Sequence, residues 1–198
     1  GSPSNAVVSF ADHTVSLVVV VSDVIRGGQP VTGVAFNSIG RHAQSGILRD
    51  RMIPRVLAAD PETLLFDVGV DPAMVLAAAM RDEKPGGHGD RASAAAALEL
   101  ACWDLDAKLR DEPAYATIAV EFGRTPERDV AVYAAGGYYG QGVGLGDLRD
   151  EVAGYLDAGY AFVKMKIGGA ELGDDLIRVE TAVAAAGGGD RVAVDANG

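Results

Sequence analysis

The chain has 198 residues, 48% of them hydrophobic, which is enough material for one or two small cores. Its formal charge is -11, with 28 acidic against 17 basic residues and no long basic run. That balance argues against nucleic acid or an anionic membrane surface as a partner, because both are held by clustered Lys and Arg.

The N-terminal "GSPSNAVVSF" lacks the basic region and long apolar stretch of a signal peptide. The longest apolar run, within "HTVSLVVVVSDV", is far shorter than the roughly 20 residues that cross a bilayer. From there to Asn37, two β-branched runs flank Gly27-Gly28-Gln29-Pro30, a pattern that predicts an antiparallel hairpin with a longer loop. Asp60-Pro61 and Asp71-Pro72 each place an acidic cap before a proline at the first helical position, so two helices start there. "RDEKPGGHGDR" is a loop broken by Gly and Pro. It is not a phosphate-binding loop, since no strand leads into it and the Lys/Ser pattern is wrong. His42 and His88 have no metal-ligand spacing to another His or Cys and are read as structural or rim residues. The following segment puts Leu98, Cys102, Leu105 and Leu109 on one helical stripe that stops before Pro113. Cys102 is the sole cysteine, so no intrachain disulfide can form and a cytoplasmic location is expected.

From about Val130 the pattern changes. "DVAVYAAGG", "YAFVKMKIGG" and "DRVAVDANG" are short apolar runs recurring roughly every thirty residues, with helical segments between them. In the first helix Leu148, Val152 and Tyr155 share a face and Gly159 is the expected stop; in the second, Leu176, Val179 and Val183 share a face. This alternation predicts parallel βα units, compatible with either a doubly wound sheet or a (β/α) barrel. A complete barrel takes about 250 residues, so most of one would be absent.

Two of these strands end in paired polar residues. Side chains alternate along a strand, so Lys164 and Lys166 face one way and Val163, Met165 and Ile167 the other. In the next strand Asp195 and Asn197 share a face. Parallel strands are covered on both sides, which makes a merely solvated strand a poor explanation, although lysines snorkelling to a sheet rim remain the plain alternative. The C-terminal ends of such strands carry the chemistry of α/β folds. Two neighbouring ammonium groups disfavour each other's charge and partial burial adds to that, which moves lysine toward acting as a base. Asp195 can pair with a lysine or hold a divalent metal, and Asn197 is a neutral oxygen donor or a hydrogen-bond partner.

Lys-x-Lys ending one strand and Asp-x-Asn ending the next resembles the mandelate racemase subgroup of the enolase superfamily. "ALELACWDLDAKLRDEP" resembles the helix that closes that family's capping domain. "GVAFNSIGRHAQSG" and "RDEKPGGHGDRASAAAALELACWD" look most like its D-tartrate dehydratase branch. The resemblance implies an α/β protein: an α+β capping domain over residues 1–126, its first strand missing, then the first three strands of a (β/α) barrel over 127–198. It further implies Mg²⁺ as cofactor, with Asp195 the first of three carboxylate ligands. Lys166 matches the general base, and Lys164 the neighbour that contacts the substrate carboxylate and lowers the pKa of Lys166. Asn197 matches a partner near both, while Asn37 and Lys84 match residues that reach the substrate from the capping domain. The expected reaction is dehydration of a hydroxy acid or acid sugar resembling D-tartrate, a small-molecule carboxylate, by a homo-oligomer. A racemase or epimerase is the alternative within the family, and a non-catalytic fragment the alternative outside it. The remaining metal ligands and the general acid are expected beyond Gly198, so the 198-residue chain is expected to be truncated and to lack turnover by itself.

Overall fold

The computed structural model describes residues 4, 6, 14–37, 43–66, 69–84 and 89–197. Two compact units emerge. The first covers the described residues from 14 to 128, and the second covers 129–197 together with Ser4 and Ala6.

The first unit is built on a hairpin, β1 (Leu17–Arg26) and β2 (Gln29–Phe36). The connection is tighter than the four-residue loop expected from the sequence. Gln29 and Pro30 already belong to β2, and the turn is Gly27-Gly28 alone, both in left-handed backbone (φ 59° and 80°). Two glycines with positive φ give the turn whose twist matches the strands on either side. Val18, Val20, Val31 and Ala35 face inward onto the long helix, while Leu17, Val19, Val21, Val34 and Phe36 face out.

A helical run follows, α1 (Ala43–Ile47), a π-helical turn (Leu48–Met52) and α2 (Ile53–Leu57). The π turn ends two residues before Pro54, which has no N–H and whose ring would clash with the carbonyl four residues back; widening the helix absorbs both. The helices α3 (Pro61–Leu64) and α4 (Pro72–Ala79) start where the sequence predicts. The Asp60 carboxylate accepts from the Glu62 N–H, and that of Asp71 from the Met74 N–H.

The central helix α5 (Asp90–Arg110) buries Ala94, Ala97, Leu98, Ala101, Cys102 and Leu105, with Leu109 partly buried. The alanines matter because β2 runs directly against the helix: a Cβ on Gly33 would lie 2.1 Å from the Ala101 carbonyl oxygen. Burial, with Glu99 nearby, pushes the Cys102 thiol up to about 11, so it is inert packing rather than a nucleophile. The unit ends with α6 (Ala114–Glu121).

The second unit alternates strand and helix: β3 (Ala134–Gly136), α7 (Leu145–Asp157), β4 (Val163–Lys166), α8 (Leu172–Ala186), a 3-10 turn (Gly189–Arg191) and β5 (Val192–Asp195). The strands form one parallel sheet in the order β3-β4-β5. Leu148 and Val152 of α7, Ala182 and Ala186 of α8, and Val163 and Met165 of β4 make its core. One expectation holds only in part: Val179 packs against this core and Val183 is half-buried, but Leu176 is not. Leu176 of α8 is 55% exposed, and the buried stripe runs through Asp175, Arg178, Ala182 and Ala186.

Candidate active site

Strand β4 reads Val-Lys-Met-Lys, and the pleat sorts it. Val163 and Met165 are buried against the helices, which leaves Lys164 and Lys166 on the opposite face. In the parallel register Lys164 stands beside Ala193 and Lys166 beside Asp195, so the aspartate lies on the lysine face one strand away. Both ammonium groups donate to the same oxygen: Lys164 Nζ is 2.9 Å and Lys166 Nζ 2.7 Å from Asp195 Oδ2. Lys166 also donates to Asn197 Oδ1 at 2.8 Å. The other Asp195 oxygen, Oδ1, accepts from the Asn197 backbone N–H at 3.0 Å and from its Nδ2 at 2.7 Å. Asn197 adopts left-handed backbone (φ 60°), a conformation that Asn tolerates better than most side chains.

The electrostatics follow from this sharing. Lys166 first, then Lys164 and the Asn197 N–H, hold the Asp195 carboxyl far below the usual carboxylate range. The hydrogen bond to Asp195 pushes Lys164 above its ordinary value, and burial acts the other way but is the smaller effect. The mutual depression anticipated for neighbouring ammonium groups is therefore outweighed at Lys164 by the carboxylate between them. Lys166 is the more enclosed side chain, 8% exposed against 22% for Lys164.

Two tyrosines that sequence reasoning passed over belong to the same surroundings. The Tyr133 ring centroid is 5.6 Å from Lys164 Nζ, and that of Tyr138 is 5.6 Å from Lys166 Nζ, both within cation–π range. No single segment carries the signal for them: they flank β3, and only its pairing with the lysine strand brings them near the ammonium groups. The end of that strand is itself held: the Gly137 N–H donates to Glu151 Oε2 at 3.0 Å, and the Tyr155 hydroxyl to Glu151 Oε1 at 2.9 Å.

The structure thus brings together Lys164, Lys166, Asp195 and Asn197. Asn37 and Lys84 belong to the other unit. Asn37 follows β2, its Oδ1 accepting from the Ser16 N–H at 3.3 Å, while its Nδ2 is buried without a partner among the described residues. Lys84 is exposed after α4, next to Glu83, which is gripped by Arg51, Arg55 and Arg91 at 3.1, 2.7 and 3.1 Å. His42 and His88 lie outside the described residues.

A divalent cation would find one carboxylate here. Asp195 is 29% exposed and oxygen-rich, but both its oxygens are engaged, and a cation would compete with two ammonium groups for Oδ2. Among the described residues no group of three His, Cys, Asp or Glu side chains is placed to hold a metal. Asp195 fits one position of a Mg²⁺ site, not a whole one.

No protein-family model matches the chain. A search of solved structures finds a mandelate racemase/muconate lactonizing enzyme-like protein from Rubrobacter xylanophilus, with a TM-score of 0.63 and 27% identity, covering 93% of this chain and 52% of that one. The fold is that of mandelate racemase/muconate lactonizing enzyme-like proteins. L-talarate/galactarate dehydratase from Salmonella typhimurium LT2 shares it, with a TM-score of 0.63 and 20% identity over 92% of this chain and 50% of that one. So does a racemase from Streptomyces coelicolor A3(2) with bound magnesium, with a TM-score of 0.61 and 20% identity over 93% and 55%. Among curated proteins, arabinonate dehydratase from Saccharolobus solfataricus is 31% identical over 112 residues, which is 57% of this chain and 29% of that protein. The chain spans about half the length of these structural neighbours and less than a third of that curated relative.

Proposed function

We propose that this chain carries the capping domain and the first barrel strands of an enolase-superfamily dehydratase. Its substrates are acid sugars or hydroxy acids, with a D-tartrate-like compound the preferred one. The observation that carries the reading is the convergence of Lys164 and Lys166 on Asp195 Oδ2, at the C-terminal ends of adjacent parallel strands. The similarity to arabinonate dehydratase and the fold shared with talarate/galactarate dehydratase support the reaction class.

In this reading the cofactor is Mg²⁺, which fold neighbours bind, and Asp195 supplies one of its ligands. When bound, the ion supplies positive charge to the carboxylate oxygens that become electron-rich once the α-proton leaves. Lys166, the better enclosed amine, takes that proton. To do so it must be in its neutral form, and a cation held by Asp195 would compete with the 2.7 Å contact that Lys166 makes to that carboxylate. Lys164 faces the substrate carboxylate as a fixed positive charge. Asn197 keeps Lys166 oriented through its 2.8 Å contact. Loss of the β-hydroxyl, with a proton from a general acid, leaves an enol that becomes a 2-oxo acid, and water is the other product. Asn37 and Lys84 are the capping-domain positions that the resemblance assigns to the substrate. The remaining ligands and the general acid are assigned to a longer parent protein, and the 198 residues alone are expected to show no turnover.

Incubating the longer protein with Mg²⁺ and a panel of D-tartrate, galactarate and arabinonate in D₂O tests this. The expected result is a 2-oxo acid carrying solvent deuterium at C3, the carbon that lost the hydroxyl, and its formation is abolished by Lys166→Ala. Deuterium exchange at the α-carbon without water loss would reassign the protein as a racemase or epimerase, and neither exchange nor 2-oxo acid with any acid would remove the enzymatic reading.

A further inference from the structure

The backbone leaving Lys166 is tied at three successive N–H groups. That of Ile167 donates to the Asp195 carbonyl at 3.1 Å, that of Gly168 to Asp175 Oδ2 at 2.6 Å, and that of Gly169 to the Tyr139 hydroxyl at 3.0 Å. The Tyr139 hydroxyl donates in turn to Asp175 Oδ1 at 2.7 Å. Tyr139 is itself anchored, because its N–H and C=O both pair with Ser4 at 3.1 Å. Arg178, one helical turn beyond Asp175, donates to the Gly137 carbonyl at the end of β3 at 2.7 Å and stacks 4.3 Å from the Tyr139 ring centroid. Two neighbouring residues of the α8 inner stripe therefore hold the ends of β3 and β4.

Stability alone does not account for this choice of side chains. Asp175 and Arg178 are buried, their closest approach is a long 3.5 Å, and Arg178 Nε has no hydrogen-bond partner among the described residues. The desolvation of such a pair consumes most of its attraction, and an apolar pair of similar volume is often at least as stable. What an apolar pair cannot do is direct hydrogen bonds at named backbone groups. The turn is matched to them. Gly168 has left-handed backbone (φ 86°), and a Cβ on Gly169 would lie 2.6 Å from the Tyr139 ring.

We propose that Asp175, Tyr139 and Arg178 are positioning residues for Lys166. They fix the Gly168-Gly169 turn and the strand ends, so that Lys166 Nζ stays 2.7 Å from Asp195 and 2.8 Å from Asn197. None of the three touches the reacting atoms. As a statement about catalysis this rests on Lys166 being the base, but as a statement about where Lys166 is held it does not. A displacement of about 1 Å at a reacting group can cost roughly 10²-fold in rate, which sets the size of the effect.

The decisive variant is Tyr139→Phe, which deletes one oxygen and keeps the ring that Arg178 stacks on; Asp175→Asn is its companion. In the isotopically labelled 198-residue chain, NMR follows the Gly168 and Gly169 amides and the Lys166 Cε–Hε signals. We expect Gly169 to exchange about ten-fold faster in Tyr139→Phe, and both glycines to do so in Asp175→Asn. The Lys166 signals should move in both variants, while the α7 amides keep their rates. Faster glycine exchange with unmoved Lys166 signals would reduce the cluster to a structural clasp, and unchanged glycine exchange would remove it altogether. If Asp175→Asn does not fold, Tyr139→Phe decides alone. In the longer protein, kcat for 2-oxo acid formation should fall about 10²-fold with KM within three-fold. A wild type that neither dehydrates an acid nor exchanges its α-proton would overturn the base assignment, leaving the NMR result to decide the positioning.

Discussion

Asp195 accepts from two ammonium groups on one oxygen, and this sharing orders the residues around it. Lys164 is raised chiefly by that hydrogen bond, so Asp195→Asn should lower its titration midpoint in the metal-free chain, measured by NMR of the Lys164 side chain. An unchanged midpoint would show that the contact does not exist in solution. A second carboxylate offers a pH test remote from the site. Glu83, hydrogen-bonded to Arg55 and Arg91 with Arg51 alongside, is held below its ordinary value despite its burial, which works the other way. A depressed folded-state pKa stabilises the protein above the unfolded value of about 4.3, and the contribution fades as pH falls through the folded value. Glu83→Gln should therefore lower the urea midpoint at pH 7, and the gap from wild type should close as pH falls through the folded-state value. A gap that persists in acid would point to lost packing instead. The site residues were readable because strand alternation alone puts Lys164 with Lys166 and Asp195 with Asn197. The tyrosines beside the lysines were not, since their proximity depends on which strands are neighbours, a property absent from any one segment.

Elements were legible where a local rule governs them. Asp before Pro fixed the starts of α3 and α4, and the leucine stripe fixed the inner face of α5. Legibility failed where tertiary contact overrode pattern. The hydrophobic stripe drawn through Leu176 is off by one position, because the strand ends draw Asp175 and Arg178 inward and leave Leu176 in solvent. The long hairpin loop was misjudged for a related reason. Pro30 usually marks a turn, yet it is tolerated in β2 at the extremity of a two-stranded sheet, where no ladder bond is lost. Close packing between elements leaves its own trace in Gly33. It lies on the inner face of β2 against the Ala101 carbonyl and Leu105, so Gly33→Ala must push strand from helix. The expected cost is about 1–3 kcal/mol, read as a lower urea midpoint with an unchanged slope. A variant as stable as wild type would mean that β2 and α5 sit farther apart than described.

At the scale of the whole chain, charge and apolar surface pull in opposite directions. A net charge of -11 keeps like molecules apart, yet the outer face of the hairpin exposes Leu17, Val19, Val21, Val34 and Phe36 together. Alternation would ordinarily make such a face polar; here β1 is apolar on both sides, with Val18 and Val20 turned inward. Contiguous exposed apolar surface of this kind promotes association, and long-range repulsion between like-charged molecules opposes it. That repulsion is screenable, its range falling from about 30 Å at 0.01 M salt to about 3 Å at 1 M. Light scattering at fixed protein concentration should therefore rise with added NaCl. The double variant Val19→Thr, Phe36→Ser should flatten the rise without lowering the urea midpoint, because both side chains are already half exposed in the folded state. Scattering that falls with salt would show that charged groups, not this face, bring the molecules together.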